Sequence, residues 1–146
     1  MGSRTVITVV KGVVFAALLI RAAATDIKRR EIDDWLCASI LALSLAGPGG
    51  SLWGAALTAL PFFIPALVKP GSIGGGDIKL MFACGAVLGV WGGLLQAALA
   101  LSLIALFALI TSLKKGFSAG KIALPLAPFF CTGGIASYII TNMGGF

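Results

Sequence analysis

The sequence has 146 residues, of which 59% are hydrophobic and 11% are charged, and its formal net charge is +6. Soluble domains carry roughly 25% charged residues, so this composition, with a mean hydropathy of +1.07, excludes an ordinary soluble domain and predicts a single membrane-embedded domain over residues 1–146. The sequence has no histidine, and its three cysteines form no Cys-x-x-Cys pair, so we expect neither a metal site nor a cofactor.

Apolar segments separated by charged or glycine-rich stretches predict an all-α bundle of six transmembrane helices. The second segment is short, and we expect Asp33 or Asp34 to cap its start. In the third, Pro61 and Pro65 predict a kink or lost hydrogen bonds. The segments run from about Val6 to Thr25, Trp35 to Ala46, Ser51 to Val68, Asp77 to Gly89, Leu94 to Leu113 and Ala123 to Thr141.

The first segment also resembles a secretory signal sequence, because basic residues and an apolar run precede a stretch of alanines. Arg21, however, stands between the apolar run and any cleavage point, and further apolar segments follow. We therefore interpret the first segment as a retained membrane helix.

The basic residues predict the orientation of the bundle. The turns predicted at Gly47–Gly50 and Trp91–Gly93 carry no charge. The loops after the first, third and fifth segments, with their borders, hold Lys28, Arg29, Arg30, Lys69, Lys79, Lys114, Lys115 and Lys121. Cationic loops face the cytoplasm, so we expect both termini outside, and the positive charge indicates topology rather than binding of nucleic acid.

All five acidic residues fall on the same predicted side as these basic loops: Asp26, Glu31, Asp33, Asp34 and Asp77. Asp26 ends the first segment, and Asp77 begins the fourth directly after Gly74, Gly75 and Gly76. The two aspartates are therefore far apart in sequence but at the same predicted membrane depth. Packing of the helices could bring them together.

Two neighbouring carboxyl groups that share one proton can activate water and protonate a carbonyl oxygen, which is what metal-free peptide hydrolysis requires. The helix dipole favours the charged form at the start of a helix. We therefore expect Asp77 to ionise more readily and Asp26 to hold the shared proton.

The glycines and the helix phase favour the same interpretation. Residues without side chains allow an extended peptide to lie against the loop. Asp77 shares one helix face with a row of small residues at four-residue steps, so it should project toward the packed interior. Simpler explanations are also open at this level: the glycines could form only a turn, Asp77 only a helix cap, and the other acids only counterions of the basic stretch.

Three motifs resemble the type IV prepilin peptidase family. Gly74-Gly75-Gly76-Asp77-Ile78-Lys79-Leu80 is similar to its Gly-x-Gly-Asp-x-Lys signature, and the stretch from Asp26 to Leu36 is similar to its first catalytic segment. The stretch from Leu124 to Phe129 is similar to its proline-containing last helix. The resemblance implies that Asp26 and Asp77 are catalytic, and that Gly74, Gly75, Gly76, Lys79, Asp33 and Asp34 contact the substrate.

The resemblance also implies a biological setting. Such enzymes remove the short basic leader of a prepilin or pseudopilin on the cytoplasmic side of the bacterial inner membrane, just before the hydrophobic helix of the pilin. Asp33-Asp34 stands where the family usually has Pro-Asn, and the cysteine-rich region associated with N-methylation does not occur in this sequence. The chain thus resembles the minimal branch that serves tight-adherence (Flp-type) pili, or a related pseudopilin or archaeal preflagellin system, and we expect no methyltransferase activity.

A different class is a non-catalytic six-helix protein, such as a small transporter or a subunit of a pilus or secretion assembly. A transporter is expected to place an ionisable group near the middle of the bilayer. The clustering of all acids at one edge favours the peptidase. Within the peptidase class, a signal peptidase-like enzyme with broader substrates is an alternative.

Overall fold

The structure, a computed structural model, describes residues 2–46, 50–116 and 125–144. In these ranges the regular structure is entirely helical, as the sequence predicts. The helices are α1 (Gly2–Arg29), α2 (Asp34–Ser44), α3 (Leu52–Val68), α4 (Gly75–Lys115) and α5 (Ala127–Met143). Two of them, α1 and α4, are long and apolar enough to cross a membrane by length and composition.

The long helix α4 reverses direction at Gly89. This residue has φ 75° and ψ −175°, a backbone conformation that glycine adopts without steric cost. Gly85 and Gly93 would stand about 12 Å apart in a continuous helix, yet a Cβ added at Gly93 would lie 3.3 Å from the Cα of Gly85. The parts 75–88 and 90–115 therefore form a hairpin with a one-residue turn.

The described helices agree with the predicted segments except at the predicted turns. The turn expected at Trp91–Gly93 is wrong, because those residues are helical and Gly89 alone makes the reversal. The turn expected at Gly47–Gly50 lies outside the described residues except for Gly50, as do Lys121 and the first residues of the sixth segment.

Helix α3 packs closely on the α4 hairpin through small residues. A Cβ added at Gly54 would lie 2.5 Å from the carbonyl carbon of Gly89, and one added at Gly85 would lie 2.5 Å from the carbonyl oxygen of Gly54. Small residues of this kind allow helix backbones to approach closely in an apolar environment. The helix also continues through Pro61 and Pro65 without a non-helical residue, and each proline lacks the N–H that would donate to the preceding turn, as the sequence predicts.

Helix α5 packs against both α4 and α1 and is hydrogen-bonded to each. On the α4 side, Gln96 Nε2 donates a hydrogen bond of 3.0 Å to the carbonyl of Phe130, and Ser137 Oγ donates one of 2.6 Å to the carbonyl of Gly92. On the α1 side, Tyr138 Oη donates one of 2.7 Å to the carbonyl of Thr8. These bonds fix the register of the three helices.

Helix α2 contacts α1 and α4, whereas the backbones of α2 and α3 do not approach each other within the described residues. Asp33 occupies the N-cap position of α2, but its side chain makes no capping hydrogen bond. An apolar groove of about 650 Å³ lies between α2 and α3, with α4 as its floor.

Candidate active site

Asp26 lies in the last turn of α1 and is buried, with 7% of its surface exposed. Its Oδ2 accepts a hydrogen bond of 3.1 Å from the backbone N–H of Ala127, the first residue of α5. Pro128 follows at a position where a helix tolerates proline, since the N–H groups of the first turn have no acceptor within the helix. The start of α5 thus holds the Asp26 carboxylate.

The chain turns sharply directly after Asp26. Arg30 has φ 55°, in the left-handed region, and its N–H donates a hydrogen bond of 2.8 Å to the carbonyl of Asp26. A left-handed residue commonly ends a helix, although glycine is the usual choice there. The turn leads the chain over the site, where Ile32 contacts the glycine loop before α4.

Asp77 lies in the first turn of α4, outside the uncharged stretch at 80–113. Its Oδ1 is buried and has no hydrogen-bond partner among the described residues. Burial, followed by the nearby charge of Asp26, raises the pKa of Asp77 from its ordinary value of 3.8 to about 6. The two aspartates are therefore close enough for one charge to affect the other.

This raised pKa contradicts the expectation that the start of α4 makes Asp77 ionise readily. The dipole at the start of α4 does favour a carboxylate. Desolvation outweighs the dipole, because Oδ1 of Asp77 is buried without a donor, and the nearby charge of Asp26 adds to the effect. Asp77 thus holds its proton up to about pH 6.

Each of the three glycines before Asp77 has a different environment. A Cβ added at Gly74 would lie 3.2 Å from Asp77 Oδ2, and one added at Gly76 would lie 3.3 Å from Ile32 Cβ. Gly75 has no neighbour within 4 Å of such a Cβ. Packing within the protein therefore accounts for the absence of a side chain at Gly74 and Gly76, but not at Gly75, which faces open space.

Nearly all the residues expected at the site line one pocket of about 400 Å³. Lys79 is the exception: its Nζ lies 2.9 Å from Asp34 Oδ1 in an exposed ion pair between α4 and α2. Among the described residues, no group of three or more acidic or cysteine side chains is placed to hold a metal ion. The pocket is lined by Asp26, Arg30, Glu31, Ile32, Asp33, Asp34, Gly74, Gly75, Gly76 and Asp77.

The apolar groove between α2 and α3 adjoins this acidic pocket. Asp34 lines both, and Lys79 stands at the same end of the groove. Most of the remaining lining is alanine and larger apolar side chains, among them Ala38, Ala56 and Phe63. Local sequence pattern predicts neither this groove nor the role of the Ala127 N–H; the position of Pro128 is its one sign of a helix start beside the site.

The chain was compared with known proteins. Residues 13–113 match the model of the type IV leader peptidase family. The prepilin leader peptidase/N-methyltransferase of Bacillus subtilis (strain 168) is 36% identical in an alignment of 137 positions that covers 87% of this chain and 54% of that protein. The chain thus spans about half the length of this relative, and no solved structure matches. From the family match and this identity, the chain belongs to the type IV leader peptidase family.

Proposed function

We propose that this protein is a membrane aspartyl endopeptidase that removes the leader peptide of type IV prepilins of the Flp-like kind. The observation that carries the proposal is the placement of Asp26 and Asp77 in one pocket in unlike environments: one carboxylate accepts a backbone N–H, and the other is partly desolvated and has a raised pKa. Two carboxyl groups in such unlike environments are suited to opposite roles in acid–base catalysis.

The proposed reaction begins with Asp26 ionised and Asp77 protonated. Asp26 takes a proton from water as the oxygen attacks the scissile carbonyl, and Asp77 donates its proton to the carbonyl oxygen. The tetrahedral intermediate then collapses: Asp77 recovers its proton from the hydroxyl, Asp26 gives its proton to the leaving nitrogen, and the C–N bond breaks. Both carboxyl groups return to their starting states, so no cofactor is consumed.

The two adjoining cavities fit the two parts of such a substrate. Acidic side chains line the pocket, which suits a basic leader, and the groove beside it is apolar, which suits the hydrophobic helix that follows the cleavage site. Gly75 leaves room for an extended backbone next to Asp77. We propose that the leader lies over the glycine loop and that the apolar helix lies between α2 and α3.

The proposed setting is the bacterial inner membrane, crossed six times, with both termini outside and the pocket facing the cytoplasm. The hairpin at Gly89 supports six passes, because it divides α4 into two antiparallel parts. The basic residues of the loops support the orientation. Proteolysis of terminal tags in right-side-out vesicles tests the orientation; tags protected from external protease would contradict it.

The mechanism is tested by co-expressing the protein with a candidate prepilin and measuring the fraction of pilin that has lost its leader. Asp26→Asn and Asp77→Asn should each abolish cleavage, because each leaves the reaction without one of its two proton-transfer groups. Asp34→Asn is the comparison: it removes an exposed carboxylate of the same pocket that pairs with Lys79, so it should weaken leader binding without abolishing cleavage. Wild-type cleavage by either of the first two variants would disprove the paired-aspartate mechanism.

The groove is tested separately with a bulky substitution on its wall. Ala38 is exposed and lines the groove, whereas Ala17 is exposed on α1 and lines none of the cavities described. Ala38→Trp should raise the KM for a full-length prepilin several-fold without lowering the cleavage of a short leader peptide, and Ala17→Trp should change neither. Equal KM values for the two variants would place the apolar helix elsewhere.

A further inference from the structure

Lys11 is a buried cation in the apolar part of the bundle, far from the acidic pocket. Only 6% of its surface is exposed, and its Nζ has no hydrogen-bond partner among the described residues. Burial of an unpaired charge is costly, so charges inside proteins are normally neutralised by a partner. A bound anion would therefore stabilise the ammonium form of a lysine in this position.

The chain offers Lys11 no acidic side chain. All five acidic side chains of the chain line the acidic pocket: Asp26, Glu31, Asp33, Asp34 and Asp77. Asp26 stands fifteen residues farther along α1, which is about 22 Å along a helix axis. No acidic side chain is therefore placed to pair with Lys11.

The cavity beside Lys11 has room for such an anion. It has a volume of about 690 Å³ and lies between α1, the reversal of α4 and the end of α5. The described backbones of α1 and α4 do not approach each other, and Tyr138 holds α5 against α1 through its hydrogen bond to Thr8. The cavity therefore exists because α5, and not α4, packs against this part of α1.

A second feature of the cavity also favours an anion. The part of α4 that follows Gly89 begins at its wall, where Val90, Trp91 and Gly92 line the cavity. The first N–H groups of a helix have no acceptor within the helix, and the dipole makes that end positive. Helix starts bind phosphate for this reason, so the cavity combines a buried ammonium group with a helix start.

The rest of the wall identifies the kind of anion. It is largely apolar, with Val87, Leu88, Leu95 and Ile140 among its residues. A free phosphate ion gains nothing from such a wall, whereas a phospholipid places hydrocarbon against it.

Lys11 lies about 22 Å along α1 from Asp26, and the hydrocarbon core of a bilayer is about 30 Å thick. A lysine at that depth can reach the headgroup region opposite the acidic pocket.

We propose that this cavity binds the phosphate of an anionic phospholipid, with Lys11 as its counterion and the lipid chain along the apolar wall. The site lies at the end of the bundle opposite to Asp26 and Asp77. It does not depend on the proposed peptidase chemistry, so either proposal can fail without the other.

The experiment measures binding of phosphatidylglycerol to the purified full chain in detergent by native mass spectrometry. Lys11→Gln should weaken binding at least about tenfold, because it removes a charge-assisted hydrogen bond. Arg4→Gln is the control: it removes the same charge from the same part of α1, but Arg4 is exposed and does not line the cavity. Equal losses in the two variants, or none in Lys11→Gln, would overturn the proposal.

Two further measurements use the wild-type protein and so do not depend on folding of the variant. Dioleoylglycerol, which has the chains but no phosphate, should bind at least about tenfold more weakly than phosphatidylglycerol. Excess inorganic phosphate should not displace phosphatidylglycerol, because it lacks the chains. Equal binding of the two lipids would exclude a phosphate site, and displacement by inorganic phosphate would show that the cavity takes the ion rather than the lipid.

Discussion

Replacing Asp77 by asparagine is expected to abolish leader cleavage and, at the same time, to stabilise the folded protein at neutral and alkaline pH. The pKa of Asp77 is raised from 3.8 to about 6 in the folded chain. Between those two values the unfolded chain releases this proton while the folded chain keeps it. The free energy of unfolding of the wild-type protein therefore falls as pH rises through this window, and this loss is complete above pH 6. Asparagine does not titrate, so the variant avoids this loss.

The size of this loss in the free energy of unfolding follows from the pKa shift of Asp77. A difference of about two pKa units corresponds to about 3 kcal/mol at alkaline pH. Asp77 is only partly buried, and solvent screening reduces the value to about 1–2 kcal/mol. For a chain of this size, that corresponds to a gain of roughly 3–6 °C in Tm.

The assay is thermal unfolding of wild-type and Asp77→Asn protein in the same detergent, at steps from pH 3.5 to pH 8. The informative quantity is how the difference in Tm between the two proteins changes with pH, because any constant effect of the substitution cancels. Asp34→Asn, which removes an exposed carboxylate, should show no comparable gain across this window. A Tm difference for Asp77→Asn that is the same at pH 3.5 and pH 8 would refute the desolvation argument.

Three further predictions concern the glycines and the pH profile. Gly54→Ala should destabilise the fold by about 2 kcal/mol or more, because its Cβ would lie 2.5 Å from the backbone of Gly89; thermal unfolding measures this. Gly75→Ala should leave Tm nearly unchanged, since nothing lies within 4 Å of the new Cβ, but should raise the KM for a leader peptide. The kcat/KM of the wild-type enzyme should fall as pH rises above about 6, where Asp77 loses the proton that it donates.

Each of these predictions can fail in a distinct way. A Gly54→Ala protein with wild-type Tm would show that α3 and α4 can separate at little cost. A Gly75→Ala protein with lower Tm and unchanged KM would mean that the glycine serves the fold rather than the substrate. A kcat/KM that rises from pH 6 to pH 8 would require Asp77 to act in its ionised form.

The main features of the site could be predicted from the sequence because they depend on residue patterns within single segments. Rare acids at segment borders indicated that Asp26 and Asp77 share one end of the bundle, and the structure places them in one pocket. The glycines before Asp77 indicated room for an extended peptide against the loop, and the structure leaves open space at Gly75 but not at Gly74 or Gly76. These inferences needed only helix periodicity and charge.

The remaining features depend on contacts between distant segments. Gly92 and Gly93 suggested a turn, but they lack side chains because Leu88 and Thr58 pack against them, and Gly89 makes the reversal instead. The expectation that Asp77 ionises readily was wrong for a similar reason: its pKa depends on burial by other segments, which leaves Oδ1 without a donor. Local sequence pattern contains no information about packing of this kind.

The hydrogen bond from Tyr138 to the carbonyl of Thr8 has a practical consequence for labelling the protein. It places the beginning of α1 and the end of α5 side by side, so reporters fused to the two ends of the chain emerge close together. A donor and acceptor fluorophore attached there would show high energy transfer in the intact bundle. Loss of that transfer would then report separation of α1 from α5 directly in a native membrane, without purification of the protein.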